Sequence, residues 1–141
     1  MQTSFFFDMP VRIYYEDTDA GGIVYHASYL RFAERARTEF LRSLSFSQAD
    51  LKNTYDIIFV VKKIEITYNR PAYLDESLVM RTSLSELKSA YMVFVQSLLR
   101  NTEQLTQITA TVVSVKGSSF KPTRLPLCLY EALDKYPCRS E

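Results

Sequence analysis

From Ala27 to Leu44 the apolar residues recur at helical spacing, and no other stretch limits the fold as tightly. Tyr29, Phe32, Ala33, Ala36, Phe40, Leu41 and Leu44 fall on one broad face, while Arg31, Glu34, Arg35, Thr38 and Arg42 take the other. A helix of this kind has one side meant for burial. Arg35 and Glu39 stand four apart, a spacing at which a pair contributes about 0.3 kcal/mol. Arg37 falls inside the apolar sector, so it reads as a buried or interface ion-pair partner, with Glu34 or Asp75 as its mate.

Around this helix the period is two. Val11, Ile13 and Tyr15 alternate with Arg12, Tyr14 and Glu16, a strand leading into a loop from Asp17 to Gly22. After a polar stretch from Ser45 to Asp56, Ile64, Ile66 and Tyr68 alternate with Lys63, Glu65 and Thr67. Leu78, Met80, Thr82 and Leu84 share one face of the next run. Tyr91 to Leu99 is apolar on both faces, as a central strand would be, and Leu105 to Val115 is rich in Thr, Val and Ile. Lys88-Ser89 and Asn101-Thr102-Glu103 read as tight antiparallel connections. Pro122, Pro126 and Pro137 bracket a tail in which Leu127 to Lys135 forms a last helix. The expected order is strand, long helix, four strands in a meander and a short helix, an α+β domain spanning residues 1–141. The even apolar content of the late strands suggests burial against another copy of the chain.

At 141 residues, with 47% apolar and 23% charged residues, the chain is long enough for one well-buried core. Seventeen Lys and Arg against sixteen Asp and Glu leave a net charge of +1, which argues against nucleic acid or an anionic membrane as the main partner. Two cysteines, Cys128 and Cys138, cannot build a disulfide framework, and with one histidine an ordinary Cys/His zinc site is close to excluded, so no metal is expected. No secretory signal pattern is present, and no segment approaches the roughly 20 apolar residues of a membrane-spanning helix. A cytoplasmic, reduced protein is the expectation.

Chemistry concentrates at the start of the long helix. Glu16, Asp17 and Asp19 place three carboxylates in four residues, directly before Ala20-Gly21-Gly22; the chain has only three glycines, so an adjacent pair marks a sharp bend or a close approach. His26, the sole histidine, stands at the helix's N-terminal edge, where unpaired N–H groups and a partial positive charge gather. A carboxylate, a Gly-Gly turn and a free helix end suit an electron-rich carbonyl: the N–H groups polarise it while the carboxylate attacks it or activates water. Acidic residues ahead of a helix also serve simply as caps and dipole partners, and for Glu16 and Asp17 that is the reading taken. A calcium loop counted from Asp17 lacks ligands where Gly21 and Ser28 stand. A lone histidine is more often a hydrogen-bonded structural residue than a catalyst.

The run from Val11 to Leu30, continuing into Phe32-Ala-Glu-Arg-Ala-Arg-Thr-Glu-Phe-Leu41, closely resembles the YbgC-type acyl-CoA thioesterases of the 4-hydroxybenzoyl-CoA thioesterase branch of the hotdog fold. Phe59-Val-Val-Lys-Lys63, Pro71-Ala72 with Leu74-Asp75, and Lys121-Pro-Thr-Arg-Leu-Pro126 extend the likeness over nearly the whole chain. The resemblance implies a long central helix wrapped by a five-stranded antiparallel sheet, with two chains pairing to form the active sites as a homodimer or homotetramer. It assigns the catalytic carboxylate to Asp19 and the polarising backbone N–H to His26, with Gly22 and Tyr25 at the substrate. Coenzyme A carries phosphates and belongs to the substrate, so no separate cofactor is needed; Lys88, Lys62-Lys63, Lys121 and Arg124 are candidates for a basic rim. Acyl carrier protein is a second possible bearer of the thioester. Two rivals stand beside hydrolysis: a hotdog hydratase or dehydratase using His26 with an acid, and a non-catalytic acyl-CoA-binding scaffold on the Tol-Pal cell-envelope machinery.

Overall fold

The computed structural model describes residues 6–136, so Pro137 and Cys138 lie outside the described residues. In chain order it contains β1 (Phe7–Arg12), a short 3-10 turn (Tyr15–Asp17), α1 (Ser28–Ser43) and α2 (Gln48–Tyr55). Then come β2 (Ile57–Tyr68), β3 (Ser77–Leu87), β4 (Tyr91–Arg100), β5 (Glu103–Lys116) and α3 (Leu127–Asp134). The strands form one antiparallel sheet in the order β1-β3-β4-β5-β2, the α+β class expected.

Helix α1, sixteen residues long, lays Tyr29, Phe32, Ala33, Ala36, Phe40 and Leu41 against the sheet. Ala33 and Ala36 are wholly buried, and their small side chains let the helix backbone approach closely. One core cluster, beneath the N-terminal half of α1, joins Tyr29 and Phe32 to Val11, Ile13, Met80 and Ile108. The other, beneath its C-terminal half, joins Phe40 to Phe94, Leu51, Leu129 and Leu133, so that α2 and α3 close that end. Burying a side chain the size of Phe40 contributes about 2–3 kcal/mol.

Four expectations change. The meander covers only β3, β4 and β5; β2 pairs with β5 at the far edge of the sheet. Residues 69–76 make this possible by crossing the sheet's end, where the N–H groups of Asn69 and Arg70 both donate to the Leu105 carbonyl, at 2.8 and 3.0 Å. Strand β1 starts at Phe7 and ends at Arg12, because Tyr14 to Asp17 coil into the 3-10 turn; Pro10 is tolerated in β1 because it is an edge strand. The polar stretch contains α2, an amphipathically weak helix that buries only Leu51 and is capped by Ser47, whose Oγ accepts from the Asp50 N–H at 3.0 Å. Glu39 pairs with Arg42 rather than Arg35.

Arg37 is buried as expected, but among the described residues neither Glu34 nor Asp75 forms an ion pair with it. Its Nη1 donates to Gln96 Oε1 at 3.0 Å instead. The two named acids sit on exposed surface, while Gln96 projects from the central strand β4 into the buried space under α1.

Candidate active site

The site grows from the turn between β1 and α1. Asp17 anchors it: its Oδ2 accepts from the Tyr14 N–H at 2.8 Å, and its Oδ1 lies 3.6 Å from Arg31 Nη2. Its carbonyl accepts from the Tyr25 N–H at 2.9 Å and from the Ser28 hydroxyl at 3.2 Å. Buried and fully engaged, Asp17 holds the chain in shape, as the structural reading had it.

Two residues on, Asp19 opens a tight loop. Its N–H donates to the Ile23 carbonyl at 2.9 Å and its carbonyl accepts from the Gly22 N–H at 3.1 Å. Gly22 closes this turn at φ +82°, a left-handed conformation that any side chain would strain. The Gly21 N–H donates to Asp19 Oδ1 at 2.8 Å, and a Cβ on Gly21 would stand only 3.2 Å from that oxygen. The Gly-Gly pair therefore turns the chain and aims the Asp19 carboxylate, whose Oδ2 bonds nothing among the described residues.

Helix α1 begins just beyond. The N–H groups of His26 and Ala27 donate to no acceptor among the described residues, the pattern of a free helix end. The His26 ring is exposed and tilted against Tyr25, with centroids 4.5 Å apart. Its carbonyl accepts from the Tyr68 hydroxyl at 3.0 Å, which ties the end of β2 to the start of α1.

Asp19, Ile23, His26, Tyr29, Tyr68 and Pro71 line one cleft of about 440 Å³, within the range of small-molecule sites. Burial pushes the Tyr29 phenol up from its ordinary pKa, so it stays protonated; its oxygen accepts from the Ala72 N–H at 3.3 Å. A larger groove, about 570 Å³, runs along the other side of α1 and is lined by Glu16, Asp17 and Glu39, of which Asp17 is held by Tyr14 and Arg31 and Glu39 by Arg42; Asp19 and His26 do not line it.

The cleft wall formed by residues 69–76 is clamped from behind. Arg100 donates to both carboxylate oxygens of Glu76, at 2.6 and 2.8 Å, and to the Pro71 carbonyl at 3.0 Å. Glu76 also accepts from the Tyr73 N–H at 2.8 Å. The Arg100 guanidinium holds the Glu76 carboxyl below its usual range, and Glu76 raises Arg100 in turn. The clamped segment accepts the Val24 N–H on the Ala72 carbonyl at 2.9 Å, which fixes the loop that carries Asp19.

The structure thus gathers Asp19, Gly22, Tyr25 and His26 at one end of the molecule. Lys88, Lys121 and Arg124 group at the other, where the Leu125 N–H donates to the Ser89 carbonyl and the Lys116 N–H to the Lys121 carbonyl. Strand β3 separates the two ends by eleven residues, a span of roughly 30 Å or more. One chain alone does not bring these cations to Asp19. Sequence reasoning missed Tyr29, Tyr68, Arg70 and Pro71 as cleft residues, since an aromatic at core spacing carries no signal that its hydroxyl will face a site.

The model of the thioesterase-like superfamily matches residues 13–133. The acyl-CoA thioesterase YbgC of Haemophilus influenzae is 50% identical over 120 residues, covering 85% of this chain and 88% of that protein. The acyl-CoA thioester hydrolase YbgC of Escherichia coli O6:H1 is 46% identical over 122 residues, covering 85% and 90%. Among solved structures, a probable thioesterase from Bartonella henselae superposes with TM-score 0.83 at 37% identity, covering 86% of this chain and all of that one. A DHNA-CoA thioesterase from Staphylococcus aureus gives 0.87 at 25%, covering 92% and 89%. With a matching family model over residues 13–133, half of 120 aligned residues shared with one such relative, and the same helix-on-sheet fold, the chain belongs to the YbgC family of hotdog thioesterases.

Proposed function

We infer that this thioesterase hydrolyses acyl-CoA, with Asp19 as the reacting carboxylate and the His26 N–H as the donor that polarises the thioester carbonyl. The observation that carries the reading is the shared cleft: a carboxylate with one free oxygen opposite unpaired N–H groups at a helix N-terminus. As oxygen adds to the thioester carbon, negative charge collects on the carbonyl oxygen, and the amides and helix dipole stabilise it. Losing one such donor costs on the order of 3 kcal/mol in acyl-transfer enzymes. The C–S bond then breaks: where Asp19 has deprotonated an attacking water, the thiolate takes up that proton, and where Asp19 itself attacks, water cleaves the mixed anhydride and supplies it. A thiol of pKa about 8.5 leaves far more readily than an alkoxide, so no strong general acid is required. The chemistry needs no metal or cofactor beyond the CoA of the substrate.

The far edge of the sheet supports pairing with a second copy. Strand β2 has one free edge, and Val60 and Val61 on it are 40% and 42% exposed. An apolar free edge invites another strand. A two-fold copy laid antiparallel along β2 would bring its own Lys88, Lys121 and Arg124 end toward this chain's Asp19, where CoA phosphates need cations. The pairing yields a homodimer, or a homotetramer if dimers stack. Acyl groups on acyl carrier protein are the alternative substrate, and the cytoplasm, where CoA thioesters are made, is the site of action. Association with Tol-Pal machinery rests on the YbgC resemblance and is tested by co-purification.

Asp19→Asn tests the reading: thiol release from acyl-CoA is expected to vanish while circular dichroism and oligomeric mass stay unchanged. Near-normal kcat in this variant overturns the assignment of Asp19. Activity that survives it but disappears in His26→Ala would favour the hydratase class. Ligand-dependent stabilisation of the wild type without thiol release would make the chain a binding protein.

A further inference from the structure

Just past the end of β5, Phe120 holds φ +59°, the left-handed region that a bulky side chain rarely occupies, yet the residue is 67% exposed. Neither core cluster includes it, and among the described residues its ring meets no other ring and no guanidinium. Packing therefore gives nothing back for the strain. Residues held in such a conformation persist where the surroundings over-determine it, and they cluster at ligand sites. Here the surroundings are firm. The Phe120 N–H donates to the Lys116 carbonyl at 2.7 Å and closes the turn. Below it, the Gly117 N–H donates to the Asp56 carbonyl at 2.9 Å and Ser118 Oγ to Asp56 Oδ2 at 2.8 Å. A Cβ on Gly117 would stand 2.8 Å from Asp56 Oδ1, so this anchor requires glycine.

Positive charge gathers beside the ring. The Lys121 carbonyl accepts from the Lys116 N–H at 2.9 Å, the Thr123 N–H donates to the Ser114 carbonyl at 2.9 Å, and the Leu125 N–H to the Ser89 carbonyl at 2.8 Å. Residues 121–125 thus run across the end of β5 to the β3–β4 turn and bring Arg124 toward Lys88. Lys88, Lys116, Lys121 and Arg124 are all exposed, and among the described residues none of them forms an ion pair. An open aromatic face among unpaired cations complements a nucleotide, whose base stacks while its phosphates meet the charges. A phosphate alone would need no ring, and an acyl chain no cations.

We propose that Phe120 stacks on the adenine of CoA and so selects CoA thioesters over the same acyl group on a carrier protein, whose phosphopantetheine arm carries no base. The inference rests on the hydrolysis and pairing reading above and deepens it. The two-fold copy sets this end of the chain beside Asp19 of the partner subunit, so the pantetheine arm reaches from the ring of one subunit to the carboxylate of the other.

The chain contains no tryptophan, so Phe120→Trp on the full-length protein is a single-tryptophan reporter that keeps an aromatic face. CoA is expected to quench its fluorescence saturably, and pantetheine at the same concentration to leave it unchanged. Phe120→Ala is expected to raise KM for butyryl-CoA about tenfold, with kcat and the KM for butyryl-pantetheine within about twofold of wild type. Phe120→Gly relieves the left-handed backbone, so it is expected to lose the same affinity while keeping at least the wild-type Tm, a split that a structural role would not produce. Equal quenching by CoA and pantetheine overturns the proposal. So does an unchanged KM for butyryl-CoA in Phe120→Ala, or a loss of affinity that appears only with a fall in Tm or with dissociation of the dimer. The quench needs no turnover: a chain that releases no thiol while CoA still quenches its tryptophan refutes hydrolysis alone, and a hydrolase whose tryptophan ignores CoA refutes the stacking alone.

Discussion

Replacing Arg100 by leucine separates what the cleft wall owes to its clamp from what it owes to packing. The guanidinium makes four hydrogen bonds: two to Glu76, one to the Pro71 carbonyl, and one from Nη1 to Glu103 at 3.1 Å. In a fully buried site bonds to charged groups contribute about 1.5–3 kcal/mol each. Here the Arg100 and Glu76 side chains are 26% and 23% exposed, so solvent screens them, and the whole clamp contributes about 1–2 kcal/mol. For a chain of this size that loss lowers Tm by about 3–7 °C. The pH dependence identifies the mechanism. Because Arg100 holds the Glu76 carboxyl below its usual 4.5, the ionised clamp stabilises the fold fully above that value and is lost as pH falls through the lower, folded value. The gap in Tm between wild type and Arg100→Leu is therefore expected to stay level from pH 8 to 5 and to narrow toward pH 3, by scanning calorimetry. Residues 70–73 loosen in the variant, so thiol release falls with stability. A Tm gap under 1 °C, or one that widens on acidification, refutes the reasoning.

Two further changes probe the site from other sides. Tyr68→Phe keeps the edge-on contact with Tyr29 but removes the hydrogen bond to the His26 carbonyl, worth about 1 kcal/mol, so kcat is expected to fall about fivefold. KM should stay within about twofold, and an unchanged kcat would mean that Tyr68 does not orient the helix end. Arg124→Glu is expected to raise KM for acyl-CoA but not for a short thioester without the nucleotide; equal effects on both substrates would exclude phosphate contact.

The core of the molecule was legible because helical and alternating periods are local properties of the chain. The face of α1 that the spacing marked is the face that packs, and the run apolar on both sides became β4, the central strand. The short helix α2 was hidden because eight residues that bury one leucine produce almost no period. At the site, the Asp17–Gly22 cluster announced itself through closely spaced carboxylates beside two of the chain's three glycines, and the turn it forms is made by those same residues.

What the linear order could not disclose are relations between residues far apart in it. Tyr68 reaches His26 across 42 positions, Arg37 reaches Gln96 across 59, and Arg100 grips Glu76 across 24. The sequence by itself determined the elements, the buried faces and the carboxylate-bearing turn, because those depend on neighbours within a few residues. Only the tertiary structure decided that β2 lies beside β5, that Lys88 and Arg124 stand at the opposite end from Asp19, and that the buried Arg37 donates to Gln96. Those outcomes depend on strand order and on how closely α1 packs on the sheet, and both are set by burial summed over the whole chain rather than by any local pattern.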